Sequence, residues 1–210
     1  MCTSYHVFPE ENIEMREIIS QIVERFPQSP VTTGRVNPSQ AAPIIGPEGP
    51  QPMHFGLSLS FRKGLLLNAR SEGAETSRLF SPMLASTRCL VPANSFLEWT
   101  PQKKPWRFAQ ADGDLLYMAG LYLQAKEMQG FVILTRDADA QVGAIHNRMP
   151  LLLQSPEYQR AWLDSPILAR ELLHMEPGVL LTAAAEPASG KAPPLGLKTP
   201  SQHQQIMGGV

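Results

Sequence analysis

Two apolar runs near the middle of the chain decide the fold: Leu115–Leu123 (LLYMAGLYL) and Phe131–Thr135 (FVILT). Both are short, and both consist mainly of aliphatic, aromatic and β-branched residues bounded by Asp, Gly or Arg. Runs of this length and composition are typical of β-strands. The sequence therefore predicts a strand-rich protein.

Similar runs lie on both sides of these two, each bounded by Pro, Gly, Asp or Asn. They are either continuously apolar or alternate between apolar and polar residues, as strands do when one face is buried. We predict further strands at Pro43–Gly46, Met53–Leu59, Leu65–Ala69, Cys89–Pro92, Phe96–Trp99, Trp106–Gln110, Leu151–Leu153 and Val179–Ala183.

Helices are predicted where the spacing of apolar residues changes to three and four. The clearest helix follows Pro9, with Glu10 and Glu11 in its first turn, and stops at Pro27. A short helix is predicted within Glu75–Leu84. Two more are predicted to start at Ser155 and Ser165, each an N-cap followed by Pro, and to end near Asp164 and Met175. The apolar stripe of the first helix comprises Met15, Ile18, Ile19, Ile22, Val23 and Phe26.

These elements predict one α+β domain over residues 1–210, dominated by antiparallel strands. At this length a single core is sufficient, and we find no repeat and no convincing domain boundary. Residues 186–210 are rich in Ala, Pro and Gly and are predicted to be a loop or a poorly ordered tail.

The charge balance and the cysteines restrict the possible functions. The formal net charge is −1, so any nucleic-acid site must be a local patch of Lys and Arg. Cys2 and Cys89 are the two cysteines, and neither has metal-ligand spacing with another Cys or with His. Cys89 lies in a strand-like run and is predicted to be a core thiol. We therefore expect no metal and no cofactor.

The N-terminal residues Met1–His6 contain neither the basic nor the apolar region of a signal peptide. No apolar run approaches the ~20 residues that span a bilayer. We therefore expect no membrane association and a cytoplasmic location, where thiols stay reduced.

Cys2 is the most informative position for chemistry. Methionine aminopeptidases remove an initiator Met before a small residue, which would leave the amine and the thiol of Cys2 on adjacent carbons. An α-amine has a pKa near ~8 and is partly neutral at physiological pH, so it can form a Schiff base with an aldehyde. The neighbouring thiol can then close onto the imine carbon and give a five-membered thiazolidine.

Three segments with polar side chains stand out against the apolar strands. Asn68 and Arg70 end the run that begins at Leu65, and Glu98 stands inside an aromatic run, where burial would raise its pKa. His146 lies with Arg148 in a loop before a predicted strand. Each alone has a bland structural explanation, but together with Cys2 they suggest an active site.

In five segments the chain resembles the SOS response-associated peptidase (SRAP) family, whose members couple to abasic sites in single-stranded DNA. The segments occur in the family's order with similar spacing. They are Met1-Cys2, Leu67–Glu72 (LNARSE), Thr76–Phe80 (TSRLF), Phe96–Trp99 (FLEW) and Ile145–Leu151 (IHNRMPL).

The resemblance implies a mainly antiparallel, barrel-like or bifurcated sheet with flanking helices. It also implies a role for each matched residue: Cys2 as the DNA-reactive nucleophile, Asn68 as the holder of its amine, and Glu98 and His146 in acid/base steps. By the same reasoning Arg70, Arg78 and Arg148 would hold phosphates. The implied protein is a peptidase or lyase-like enzyme that removes its own Met1 and acts as a monomer on single-stranded DNA containing abasic sites.

The chain departs from the family pattern in several places. Family members usually begin Cys-Gly-Arg, whereas this chain has Thr3 and Ser4 after its cysteine. The family's Trp-Gly segment, which stacks on bases, is here His54–Leu57 (HFGL), and Asn147 stands where Asp is common. The match is poor after Met175. These changes leave the covalent chemistry in place and reduce the expected DNA affinity.

Two other functions fit parts of the pattern. An N-terminal-nucleophile amidohydrolase or amidotransferase also starts Met-Cys and uses the free amine as base, but usually continues Cys-Gly and carries glutamine-binding motifs, which we do not find. A non-catalytic single-stranded-DNA-binding relative would keep the fold without the reaction.

Overall fold

The computed structural model describes residues 2–59, 63–125, 128–175 and 178–187. Antiparallel strands dominate these ranges, as their short apolar runs predict. The strands are β1 Ser4–Val7, β2 Gly34–Val36, β3 Ala41–Gly46, β4 Gly49–His54, β5 Leu57–Ser58, β6 Leu65–Leu66, β7 Asn68–Arg70, β8 Arg88–Ala93, β9 Ser95–Trp99, β10 Pro105–Gln110, β11 Leu116–Ala125, β12 Met128–Asp137, β13 Arg148–Pro150 and β14 Leu181–Ala185.

Short helices lie between and after the strands. The helices are α1 Ile13–Arg25, α2 Ser71–Ala74, α3 Phe80–Ser86, α4 Ala140–Gly143, α5 Pro156–Asp164 and α6 Pro166–Leu172. The side chains of Ser155 and Ser165 cap α5 and α6 by accepting bonds from the amides three residues on, as predicted. Within the described ranges, no helix has the length and apolar character to cross a membrane.

The strands form two large sheets and one small pair. The first sheet has the order β14-β10-β9-β1-β2 and is antiparallel throughout. The second has the order β13-β12-β11-β8-β3-β4, and β7 joins β12 in parallel. The predicted α+β class with mainly antiparallel strands is confirmed.

The barrel-like closure that we expected is wrong, because neither large sheet closes on itself. The first sheet ends at β14 and β2, which do not pair with each other in the described part of the chain. A barrel requires its end strands to share hydrogen bonds around the full circumference. Here apolar side chains of both sheets, such as Tyr5, Phe55 and Phe131, form one core.

The first helix differs in detail from the prediction. Asn12 is its N-cap, and the Asn12 side chain accepts a 3.0 Å bond from the amide of Met15. Glu10 and Glu11 therefore both precede the helix, and the acidic residue in its first turn is Glu14. Val23 is 56% exposed, so the buried stripe is narrower than its apolar spacing suggested.

Several short elements escaped prediction because their sequences are polar or very brief. The strand β2, the first half of β4, and the one-turn helices α2 and α4 carry no apolar period. The run Leu151–Leu153 makes only an isolated bridge, between Leu152 and Met118, and β13 lies just before it. Of the predicted tail at 186–210, only residues 186 and 187 lie within the described residues.

Two strand pairings position the site. β1 lies beside β9 with Ser4 opposite Leu97, so the residue before β1 comes close to Glu98. In the other sheet, Thr135 of β12 pairs with both Arg70 and Pro150. β7 and β13 therefore flank the same end of β12, which places Asn68 and the His146 loop on either side of it.

Candidate active site

Cys2 lies immediately before β1 and is fully buried. Its Sγ atom lies 3.7 Å from the carbonyl oxygen of Ser4, to which the thiol donates a weak bond. Burial, together with the nearby charge of Glu98, raises the pKa of this thiol far above its usual range. Cys2 is therefore a neutral thiol in this structure.

Asn68, the first residue of β7, holds the backbone of Cys2. Its Nδ2 atom donates a 2.9 Å bond to the carbonyl oxygen of Cys2. Its Oδ1 atom is buried and has no hydrogen-bond partner among the described residues. An amide oxygen is a hydrogen-bond acceptor and has the polarity needed to bind an amine.

Glu98 is a buried carboxylate in the central part of the first sheet. Its side chain is 1% exposed, and burial raises its pKa above the ordinary value. The sequence predicted this shift from the aromatic neighbours of Glu98. A carboxyl group with a raised pKa can act as an acid and as a base near neutral pH.

His146 comes from the segment between α4 and β13 and meets Glu98. Its Nδ1 atom lies 3.6 Å from Oε2 of Glu98. The same nitrogen accepts a 3.1 Å bond from the amide of Arg148 and lies 3.2 Å from the carbonyl oxygen of Arg148. The imidazole is 28% exposed, so it connects the buried carboxylate with solvent.

An open cleft of about 570 Å³ lies over Glu98 and His146. Cys2 directly precedes Thr3, which lines the cleft, and Asn68 is bonded to Cys2. Trp99 and Asn147 belong to segments that the sequence analysis matched to the family. Thr100 and Pro101 lie outside those segments and were not predicted, because only the fold brings these loop residues to the cleft. The residues that line the cleft are Thr3, Glu98, Trp99, Thr100, Pro101, Ile145, His146 and Asn147.

The three predicted phosphate-binding arginines lie in different environments. Arg70 and Arg78 are exposed, near the start of α2 and before α3. Arg148 is only 7% exposed, and its guanidinium bonds to Glu72, Asp137 and the carbonyl oxygen of Thr135. These contacts fix the guanidinium in a buried position, and a phosphate contact of Arg148 stays a prediction.

Two residues that depart from the family pattern, Phe55 and Ser4, are both buried in the structure. Phe55, from the segment expected to stack on bases, is fully buried and stacks on Phe131 with ring centroids 5.3 Å apart. Ser4 is buried, donates a 2.7 Å bond to Asn37 and accepts a 3.3 Å bond from Arg35. The guanidinium of Arg35 in turn lies 5.6 Å from the centre of the Trp99 ring.

A second buried polar cluster, which the sequence analysis did not predict, lies in the first sheet around His6. His6 on β1 is fully buried, and its Nδ1 atom lies 2.9 Å from Oγ of Ser95. Its Nε2 atom lies 3.4 Å from Oε1 of Glu186, whose other oxygen lies 3.6 Å from Nε of Arg107. Burial, Arg107 and Arg35 lower the pKa of His6 to about 4.

The fold and the site together define an α+β protein with a reactive-residue cluster at its N-terminus: a cysteine held by an amide, beside a carboxylate–histidine pair. The model of the SOS response associated peptidase (SRAP) family matches residues 1–184. The chain belongs to this family.

Named relatives match the chain over shorter segments. It is 37% identical over 113 residues to abasic site processing protein YedK of Escherichia coli (strain K12), a match that covers 50% of each chain. It is 32% identical over 108 residues to abasic site processing protein YoaM of Bacillus subtilis (strain 168), covering 47% of each. The match to abasic site processing protein HMCES of Gallus gallus is 31% over 110 residues, or 40% of this chain and 33% of that one. The matched segments thus span half or less of these relatives.

Solved structures resemble the fold over most of its length. A protein from Bacteroides thetaiotaomicron has a TM-score of 0.71 at 22% identity and covers 90% of this chain and 93% of its own. A protein from Bordetella bronchiseptica has a TM-score of 0.68 at 23% identity, covering 89% and 100%. At these identities the likeness shows the shared fold.

Proposed function

We propose that this protein, after loss of Met1, captures abasic sites in single-stranded DNA as a covalent thiazolidine on Cys2. One observation carries the proposal: Asn68 binds the backbone of Cys2 at 2.9 Å, next to the Glu98–His146 pair. Three groups suited to amine binding and proton transfer thus surround one N-terminal cysteine. Membership of the family and the names of its relatives support the same substrate class.

The first step opens the abasic sugar, which exists mainly as a closed hemiacetal. An acid must protonate the ring oxygen while a base removes the proton of the anomeric hydroxyl. Glu98, with its raised pKa, can serve as the acid, and His146 lies on the solvent side to exchange protons. The product is a free aldehyde in the cleft.

The second step joins the amine of Cys2 to that aldehyde. The amine nitrogen attacks the carbonyl carbon, and the resulting carbinolamine loses one water to form an imine. Asn68 orients the amine through its Oδ1 acceptor. His146 supplies the proton that leaves with the water and takes up the proton that the nitrogen loses as the imine forms.

The third step closes the ring. The thiol sulfur of Cys2 bonds to the imine carbon, and the thiol proton passes to the nitrogen by way of Glu98. The overall change is aldehyde plus aminothiol to thiazolidine plus water. Because burial keeps the thiol protonated, the amine reacts first and sulfur follows only when a base is at hand.

Removal of Met1 is part of the proposal. The same acid–base pair could assist the protein in cleaving its own Met1–Cys2 bond, in keeping with the peptidase in the family's description. We also assign phosphate contacts to Arg70 and Arg78, the two predicted arginines with exposed side chains.

The test uses an oligonucleotide with one abasic site and a denaturing gel. The wild-type protein, with Met1 loss verified by intact mass, should give a shifted band that persists under denaturation. Cys2→Ala should abolish this band. Cys89→Ala is the matched control, because Cys89 is equally buried but lies inside β8 and has no α-amine to form an imine, and it should retain the band. A wild-type protein that lacks Met1 and gives no band would refute the proposal.

A further inference from the structure

Arg148 is a buried cation held by two acidic side chains from different elements. Its Nη1 and Nη2 atoms donate to the two oxygens of Glu72 at 2.7 and 2.9 Å, a bidentate geometry. Nη1 also donates to Asp137 at 2.6 Å, and Nη2 to the carbonyl oxygen of Thr135 at 2.5 Å. The guanidinium is therefore fixed in position and orientation.

This ion pair connects the two halves of the site. Glu72 belongs to α2, which follows β7 and its first residue Asn68 without a break. Arg148 opens β13, two residues after His146. The pair thus joins the segment that holds Cys2 to the segment that carries the imidazole.

The backbone of Arg148 also holds the His146 ring directly. The amide of Arg148 donates to Nδ1 at 3.1 Å, and the Arg148 carbonyl oxygen lies 3.2 Å from the same atom. A change in the position of Arg148 therefore changes the distance between His146 and Glu98, now 3.6 Å.

The local charge argues against a phosphate contact at Arg148. One guanidinium is matched by two carboxylates, and these are the more exposed partners: the side chain of Glu72 is 48% exposed and that of Asp137 is 83% exposed. A DNA backbone that approached Arg148 would meet these two carboxylates first, whereas the nearby cation Arg70 is exposed.

We propose that the Glu72–Arg148 pair is a positioning element that holds His146 against Glu98 and over the cleft. The inference rests on the proposed function for its kinetic consequence, but its structural consequence can be measured without DNA. Glu72 and Arg148 act through His146 and do not touch the reacting atoms.

The experiment compares Glu72→Gln with Glu75→Gln. Both changes remove one negative charge from the same region, but Glu75 pairs at the surface with Arg170 and His174, at 3.9 and 3.4 Å. We expect Glu72→Gln to slow adduct formation by about tenfold or more and to change its pH profile, with affinity for an undamaged oligonucleotide unaltered. Glu75→Gln should stay within about twofold of wild type in both respects.

The opposite reading predicts a different pattern. If Arg148 bound phosphate, Glu72→Gln would free it, and DNA affinity at low salt would rise more than in Glu75→Gln, with no loss of rate. That pattern would overturn the inference. Arg148→Lys keeps the charge but loses the bidentate geometry, so it should reproduce the slow reaction if Glu72→Gln folds poorly.

The ring of His146 provides a readout that does not need the reaction. NMR spectra of the protein alone should show changed ring chemical shifts of His146 in Glu72→Gln and not in Glu75→Gln. An unchanged His146 in Glu72→Gln would sink the inference. A wild-type protein that forms no adduct would sink the proposed function and leave this measurement intact.

Discussion

At the scale of single residues, the site depends on burial. Cys2 and Glu98 are both almost completely shielded from water, and the charge of Glu98 adds to the cost of ionising the Cys2 thiol. A buried thiol beside a buried carboxyl can exchange a proton without forming two adjacent anions. Such a pair suits a reaction in which sulfur attacks only after an imine has formed.

Glu98→Gln should slow adduct formation by about a hundredfold or more, because it removes the acid/base group while keeping the shape of the side chain. Ring closure, the step that uses the base form of Glu98, should slow in the wild type as pH drops through the raised pKa of Glu98. The rate is measured against pH for both proteins by quenched gel assays. If the Glu98→Gln protein loses activity at low pH in the same way as the wild type, a group other than Glu98 causes that loss.

The residue scale also shows the extent to which motifs predict a site. Cys2, Asn68, Glu98 and His146 were selected from the sequence, and the structure brings them to the region beside one cleft. Their catalytic roles stay predictions. Glu72 stood inside a matching segment but received no role, because a motif does not specify which buried cation a surface carboxylate will bind.

At the scale of elements, β12 organises the second half of the site. The C-terminal half of β12 pairs with β7 on one side and β13 on the other. Near its N-terminal end, β12 passes close to the backbone around Gly56. Gly130, near the N-terminal end of β12, has a φ of +153°, and a Cβ atom at this residue would lie 2.3 Å from the carbonyl oxygen of Gly56. Neither backbone segment can move aside without disturbing the sheet.

Gly130→Ala should therefore destabilise the protein by about 2 kcal/mol or more. Gly143→Ala is the matched control, because Gly143 lies in α4 with open space around its Cβ position and should be neutral or slightly stabilising. Urea unfolding of both variants measures the difference. Equal stabilities would contradict the close approach of the two strands.

At the scale of the whole molecule, the cluster around His6 ties the N-terminal strand to the end of β14. The cluster joins residues from distant parts of the sequence: His6 on β1, Arg107 on β10 and Glu186 just after β14. Cys2 lies immediately before β1. The fold keeps His6 neutral, because burial and two arginines oppose its protonation. The stability of the protein is therefore coupled to pH through this cluster.

The free energy of unfolding should fall as pH drops from about 6.5 towards 4. The unfolded chain takes up a proton on His6 near its ordinary value of 6.5, whereas the folded chain resists until about 4. The loss can reach about 3 kcal/mol. The raised pKa of Glu186 acts in the opposite direction, because the folded chain takes up a proton on this carboxyl at a higher pH than the unfolded chain does.

Urea unfolding at pH 7.5 and pH 5 measures this effect. His6→Asn should reduce the difference between the two pH values, whereas His174→Gln, at an exposed histidine, should leave it as in the wild type. A wild-type stability that is flat across this range would contradict the low pKa of His6.

The sequence by itself determined the α+β class, most of the strands, the capped helices α5 and α6, and the residues that form the candidate site. Local periodicity, cap residues and short motifs act over a few neighbouring positions, so they can be read from the chain. Only the tertiary structure decided that the sheets stay open, that Phe55 belongs to the core, and that Arg148 binds Glu72 and Asp137. Those outcomes depend on which distant side chains share a buried volume, and burial sets whether a ring can stack on a base or a cation can reach a phosphate.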